Sequence, residues 1–197
     1  CSSRILVEET IFERFKTDFC NAISELNIGD PKNDKTQFGS ITSYEQFKKI
    51  KHYINLAKNE NGNILLGGKA IQLQGRCKNG WFIEPTVIEG LDNRSRLNQE
   101  EIFGPVVTLQ SFKSEKEAIE IANDTPYGLS ATIWTNSHEK SDRVAKNIDA
   151  GVVWINCWMV RDLRTPFGGM KDSGLGREGG ESVLRFFTEQ KTICEPK

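Results

Sequence analysis

Hydrophobic positions along the chain follow two alternating periods. The short run Arg4-Ile5-Leu6-Val7 reads as a strand, and Ile11, Phe12, Phe15, Phe19, Ala22, Ile23 and Leu26 then recur at the spacing of one face of an amphipathic helix. After a turn-rich stretch, 29–40, the pattern predicts a second helix over 44–59 whose buried side is Phe47, Ile50, Tyr53, Ile54 and Ala57. Lys48, Lys51 and His52 fall mostly off that side, which makes His52 a surface residue. An apolar run at 63–66 ends in Gly67-Gly68, and 81–87 forms a strand candidate with Pro85 near its end. Two further strand-to-helix cycles follow, 106–112 into 114–123 and 129–134 into 137–148, before a fully apolar strand at 152–156. Such alternation predicts an α/β fold with a mainly parallel sheet covered by helices.

The texture changes after Asn156. Residues 157–180 are rich in glycine, too flexible for a core element and too long for a simple connection, and ordered loops of that length usually carry function. A short helix over 181–187 and a β-like run over 188–194 close the chain. No strand lies near that run in sequence, so its N–H and C=O groups need a sheet edge elsewhere in the protein or in a neighbouring subunit.

Composition narrows the function classes. At 197 residues the chain has room for one well-cored domain, with or without an appendage. Its 26 basic and 27 acidic residues leave a formal charge of −1, with no basic stripe to hold nucleic acid. The apolar runs fall well short of the roughly 20 residues that cross a bilayer, so a soluble protein with no membrane partner is expected. Five scattered cysteines, Cys1, Cys20, Cys77, Cys157 and Cys194, form no C-x-x-C pair, so neither a disulfide framework nor a metal site is expected, and a reducing, cytoplasmic setting is. The only methionines are Met159 and Met170, and the chain opens at Cys1 inside predicted structure; a piece of a longer protein or a processed product is the expectation.

Few motifs carry chemistry on their own. Gly174-x-Gly176-x-x-Gly179 has the dinucleotide-fingerprint pattern, but a loop precedes it and the chain ends before a βαβ unit could close, so tight loop packing is expected instead. Cys20 and Cys157 read as small hydrophobes, and His52 and His138 sit on helices among charged neighbours. Gln99-Glu100-Glu101-Ile102-Phe103-Gly104-Pro105 sets paired carboxylates beside an aromatic ahead of a strand; this is either a solvated turn with a packing Phe or a carboxylate placed for the two hydroxyls of a ribose. Arg161-Asp162-Leu163-Arg164-Thr165-Pro166-Phe167 puts two guanidinium forks after the apolar strand, where α/β proteins bind ligands. They suit an acidic ligand, and pairing with Asp162 on the surface is an equal alternative.

Taken together, Glu101-Ile102-Phe103-Gly104-Pro105-Val106, Asn123-Asp124-Thr125-Pro126-Tyr127-Gly128-Leu129, Gly151-Val152-Val153-Trp154-Ile155-Asn156 and Pro166-Phe167-Gly168-Gly169-Met170-Lys171-Asp172-Ser173-Gly174, in this order, resemble the aldehyde dehydrogenase superfamily over the whole chain. The resemblance implies a three-layer α/β catalytic domain over residues 1–170, incomplete at its amino-terminal edge, and a returning helix with an oligomerisation strand over 171–197, the Rossmann-like cofactor domain being absent. It implies an NAD-dependent oxidation of an aldehyde through a cysteine thioester, and a homo-oligomer formed through the terminal strand.

The family's nucleophile precedes the arginine matched by Arg4 by five positions, which falls before Cys1, so no catalytic residue is assigned to this chain and the isolated chain is expected to be inactive. By the same resemblance Glu101 binds the nicotinamide ribose, Phe103 lies against the nicotinamide, Gln46 and Lys49 reach the cofactor's riboses, and Phe167 lines the substrate funnel. Arg161 stands where many relatives carry an apolar or aromatic residue. The run 156–166 is similar to dehydrogenases of 2-aminomuconate 6-semialdehyde and 2-hydroxymuconate semialdehyde, in which Arg161 would fork the substrate carboxylate. A dehydrogenase of apolar aldehydes such as retinal, and a non-catalytic assembly or binding module, are the alternatives.

Overall fold

A computed structural model of the chain describes residues 3–196. In chain order the elements are β1 (Arg4–Glu8), a 3-10 turn (Glu9–Ile11), α1 (Phe12–Ser24), α2 (Tyr44–Asn59), β2 (Asn63–Leu66), β3 (Ala70–Ile71), a second 3-10 turn (Gly75–Cys77), β4 (Phe82–Ile83), β5 (Thr86–Glu89), α3 (Arg96–Gln99), β6 (Val106–Phe112), α4 (Glu115–Asn123), β7 (Tyr127–Gly128), β8 (Ser130–Ile133), α5 (His138–Asn147), β9 (Val152–Ile155), β10 (Met170–Lys171) and α6 (Gly180–Phe187). The chain is a mixed α/β protein that divides into two compact units, Cys1–Ala122 and Asn123–Lys197. This partition falls in the last turn of α4, not at the expected 170/171. That expected division is crossed by the β7–β10 ladder and by the Phe167–Glu178 bridge, which tie the terminal segment to what precedes it.

In the first unit the strand order is β1-β6-β5-β2. β1 and β5 both run parallel to β6, and β2 closes the edge antiparallel to β5 with a register shift between Ile64 and Leu66. Helix α2 begins where the Ser43 side chain accepts from the Gln46 amide at 3.2 Å, the usual service of an N-cap serine. Its apolar face is the predicted one: Ile50, Tyr53, Ile54 and Ala57 are buried against Ile83, Ile88, Leu97, Ile102 and Val106, with Phe47 packed at the margin. The expected 81–87 strand is two strands instead. Pro85 has no N–H to donate, so the ladder breaks there and resumes at Thr86, whose amide bonds to Pro105 O at 2.7 Å. Directly opposite, Gly67 sits at φ +75°, and a Cβ there would stand 2.1 Å from Pro85 O. The face expected over 11–26 is only half-covered: α1 has no buried residue, Ala22 is exposed, and Ile11 lies in the 3-10 turn, 54% exposed.

In the second unit β8 and β9 pair in parallel from Ser130↔Val152 to Ile133↔Ile155, and β7 and β10 pair antiparallel. Helix α5 is capped by Ser137, which accepts from the Lys140 amide at 3.3 Å. The apolar strand expected over 152–156 buries only Trp154; Val152 and Val153 are half-covered and Ile155 is exposed. β9 stops at Asn156, which adopts φ +51° and turns its amide back to hold Thr135, accepting from its N–H at 2.9 Å and donating to its C=O at 2.8 Å. The terminal run beyond α6 is irregular, with no ladder partner among the described residues.

Candidate functional site

Three polar side chains on α2, Gln46, Lys49 and Tyr53, are spaced i, i+3 and i+7 and therefore share one face of the helix. The loop between α3 and β6 runs along that face. Gln46 Nε2 donates to Ile102 O at 2.7 Å and to Phe103 O at 2.9 Å, and Lys49 Nζ donates to Glu101 O at 2.7 Å. Tyr53 Oη donates to Glu100 Oε2, and Arg96 grips the same carboxylate through Nε at 2.6 Å and Nη2 at 2.9 Å. That fork, followed by the tyrosine hydroxyl, holds the Glu100 carboxyl down to about 2, while burial and the Glu100 hydrogen bond push the Tyr53 phenol up. Below the loop Gly104 admits the side chain of Ile50; a Cβ at 104 would meet it at 2.6 Å.

The result is a short segment held firmly from beneath and open above. Phe103 adopts φ +57°, a region costly for a residue with a Cβ, and its ring is 75% exposed. Glu101 is exposed beside it. The four residues expected at the cofactor, Gln46, Lys49, Glu101 and Phe103, are thus brought together, but not in one role. Both amide hydrogens of Gln46 are occupied by backbone carbonyls, leaving its Oε1 as the one group it could offer a ligand. The Glu101 carboxylate and the Phe103 ring face outward, as an acceptor for hydroxyls beside a flat apolar surface would.

In the second unit the loop after β9 is stitched down by the buried Trp154, whose Nε1 donates to Val160 O at 2.8 Å, and Trp158 packs edge-on against it at 5.1 Å between ring centroids. This sets the next residue, Arg161, with its guanidinium carbon 4.2 Å from the centroid of the Phe167 ring, while its Nη2 bonds to Glu178 Oε1 at 2.7 Å. Phe167 and Glu178 in turn exchange both backbone hydrogen bonds at 2.7 Å, so the three residues form one group. Leu129, Phe167, Leu175 and Glu178 border a cavity of about 300 Å³. The two arginines behave differently. Arg164 folds back on Asp162 through Nη2 at 2.6 Å and holds that carboxyl below its ordinary range, the surface pairing considered above; the Arg161 guanidinium pairs with Glu178 instead.

Sequence reasoning assigned no role to Glu178, nor to the Arg96–Glu100–Tyr53 network. The i, i+3, i+7 spacing of Gln46, Lys49 and Tyr53 was a readable signal; nothing local connects Arg161 with Glu178. Among the cysteines, Cys20 has its thiol pushed up by burial, Cys77 and Cys157 are half-buried, Cys194 is exposed, and Cys1 lies outside the described residues.

The chain is similar to proteins that are already known. The model of the aldehyde dehydrogenase family matches residues 1–193. A 2-aminomuconic semialdehyde dehydrogenase of Danio rerio is 44% identical over 98% of this chain and 40% of its own length. A 2-hydroxymuconic semialdehyde dehydrogenase of Pseudomonas putida is 41% identical, again over 98% of this chain and 40% of the relative. Among solved structures, betaine aldehyde dehydrogenase of Staphylococcus aureus in complex with NAD+ superposes with a TM-score of 0.88 at 38% identity, covering 94% of this chain and 37% of that one. The chain therefore spans about 40% of the length of the curated relatives it matches.

Proposed function

Because the chain belongs to the aldehyde dehydrogenase family, we propose that it is the part of an NAD-dependent dehydrogenase that carries cofactor contacts and recognises an acidic aldehyde, a semialdehyde of the 2-aminomuconic or 2-hydroxymuconic type, for oxidation to the carboxylic acid. The observation that carries the acidic substrate is Arg161. It stands on the loop after a sheet strand with one nitrogen on Glu178 and its plane over an aromatic ring, which leaves further N–H donors of the fork for a planar carboxylate. Relatives named for two muconic semialdehydes support the same choice.

The residues also fit a dinucleotide. An exposed carboxylate next to an exposed aromatic ring, both on a backbone held from below, suits a ribose diol and the flat ring attached to it. When bound, the cofactor would accept the hydride that leaves the aldehyde carbon. Glu101 would accept the ribose hydroxyls, Phe103 would limit how far the ring can tilt, and Phe167 would border the substrate's path while Arg161 orients its acidic end. We also assign the terminal run to pairing with a second copy of the chain, since its backbone groups need partners, and we place the enzyme in the cytosol, where free thiols such as Cys77 and Cys194 persist.

The test is made on the enzyme that contains this chain. One charge-assisted pair is worth about 1.5–3 kcal/mol, so Arg161→Ala should raise KM for carboxylate-bearing aldehydes about ten- to hundredfold and leave neutral aldehydes within about twofold. Arg164→Ala, whose guanidinium is already folded onto Asp162, should change neither. Equal effects of Arg161→Ala on both substrate classes would remove the acidic-substrate reading.

A further inference from the structure

We propose that Gln46 and Lys49, with Tyr53, are positioning residues: a polar stripe on α2 that latches residues 100–103, so that Glu101 and Phe103 stand in their binding arrangement before any ligand arrives. The inference rests on the reading of Glu101 and Phe103 as ligand contacts and adds to it a reason why they keep their geometry.

Three observations converge. The stripe is in register with the loop, residues 46, 49 and 53 meeting 102–103, 101 and 100 in reverse order, so each helical step engages the next loop residue. Three of the four attachments end on main-chain carbonyls, so they restrain the backbone and leave the Glu101 and Phe103 side chains outward. The loop also needs restraint, because Phe103 is held at a positive φ that an untethered chain would leave. The neighbouring lysines Lys48 and Lys51 do not share the arrangement: Lys48 lies over the Tyr44 ring at 4.7 Å and Lys51 over the Phe47 ring at 5.4 Å. Tyr53 completes the set through a carboxylate that Arg96 keeps ionised, so its anchor persists across the neutral range.

Amide hydrogen exchange on the nucleotide-free chain tests this directly, in the segment whose Glu100 and Val106 amides are hydrogen-bonded at 2.9 and 2.8 Å. Lys49→Met and Gln46→Met should each speed exchange across 100–106 by about tenfold, with the centre of α2 unchanged. Lys49→Arg, which can still donate, should restore slow exchange, and Lys48→Met should have no effect. In the enzyme containing the chain, Lys49→Met should raise KM for the dinucleotide and Lys49→Arg should recover it. If Lys49→Met raises that KM while exchange at 100–106 stays slow, Lys49 is a direct ligand contact and the latch is refuted. If Gln46→Met disrupts the fold, the exposed Lys49 decides alone. Because the exchange readout needs no nucleotide, a wrong assignment of the cofactor would leave it intact, and the two failures are distinguishable.

Discussion

Gly151 is where the geometry of the Arg161 group can be tested through the backbone alone. It immediately precedes β9, its amide donating to Gly128 O at 3.0 Å, and its Cα faces the turn at Gly168 and Gly169. A methyl group at 151 would stand 1.7 Å from Gly168 O and 2.8 Å from Gly168 C, where real Cβ atoms essentially never come within 3.0 Å of a neighbour. Both opposing atoms are main chain, so no side chain can swing aside. Either β9 leaves β8 or the 167–169 turn moves outward by more than 1 Å. The second route breaks the paired 2.7 Å hydrogen bonds between Phe167 and Glu178 and the 2.8 Å bond from Arg177 Nη1 to Gly169 O. Losing three hydrogen bonds at about 1 kcal/mol each, together with about 1–3 kcal/mol of overpacking strain, predicts a destabilisation of about 4–6 kcal/mol for Gly151→Ala. Urea unfolding followed by tryptophan fluorescence measures this, with Trp154 buried in β9. A loss below about 0.5 kcal/mol at unchanged denaturant slope would show that the turn yields freely, and would refute the claim that this close approach sets the position of Phe167 and Glu178.

Other expectations concern single groups. Asn156→Ala removes both amide bonds to Thr135 and puts a methyl side chain at φ +51°, so it should cost about 1–2 kcal/mol in the same unfolding assay, with Asn156→Gly, which tolerates the φ, recovering part of it. Glu100 titrates at about 2 in the fold against an ordinary 4.5, so its contribution is fully present above about pH 4.5 and is lost as pH falls toward 2. The unscreened shift corresponds to about 3 kcal/mol, but the side chain is 39% exposed and screening brings this to on the order of 1 kcal/mol; urea midpoints between about pH 5 and pH 2.5 should fall more steeply in the native chain than in Arg96→Met. Glu178→Gln removes the group that pairs with Arg161, and calorimetric titration with an unsaturated dicarboxylate should show binding tightened by up to about fivefold; unchanged affinity would mean that Glu178 does not compete for the guanidinium.

What could be read in advance follows the range of the interactions involved. The α2 core residues Ile50, Tyr53, Ile54 and Ala57 are legible because burial of one helical face repeats every three or four positions, whatever covers it. β6 is equally local, since its apolar run is read from adjacent residues. The break at Pro85 was visible as a proline yet was read through, because its consequence depends on which neighbour would have accepted the missing hydrogen bond. α1 looked like a core helix and is half-covered, since periodicity reports that a face is apolar and not what lies against it. The candidate residues were found through their resemblance to a family, but their connections were not. Lys49 meets Glu101 only because α2 and the 100–105 loop are brought together by the packing of Ile50 under Gly104. Arg161 meets Glu178 only because the glycine-rich segment doubles back, with Gly174, Gly176 and Gly179 at positive φ, until residue 178 pairs with residue 167.

That doubling back leaves Arg161 with two calls on its charge, and magnitudes decide between them. Its pair with Glu178 is partly exposed, 37% on the arginine and 65% on the glutamate, and such pairs contribute about 0.2–1 kcal/mol. A carboxylate arriving in the proposed substrate position would receive a charge-assisted, bidentate pair worth about 1.5–3 kcal/mol when well aligned, so it outcompetes the glutamate or shares the fork with it. The Phe167 ring at 4.2 Å favours the cation in either state and does not distinguish them. Glu178 therefore keeps the guanidinium oriented over Phe167 while no anion is present, and the weakness of its hold is what leaves the arginine available when one arrives.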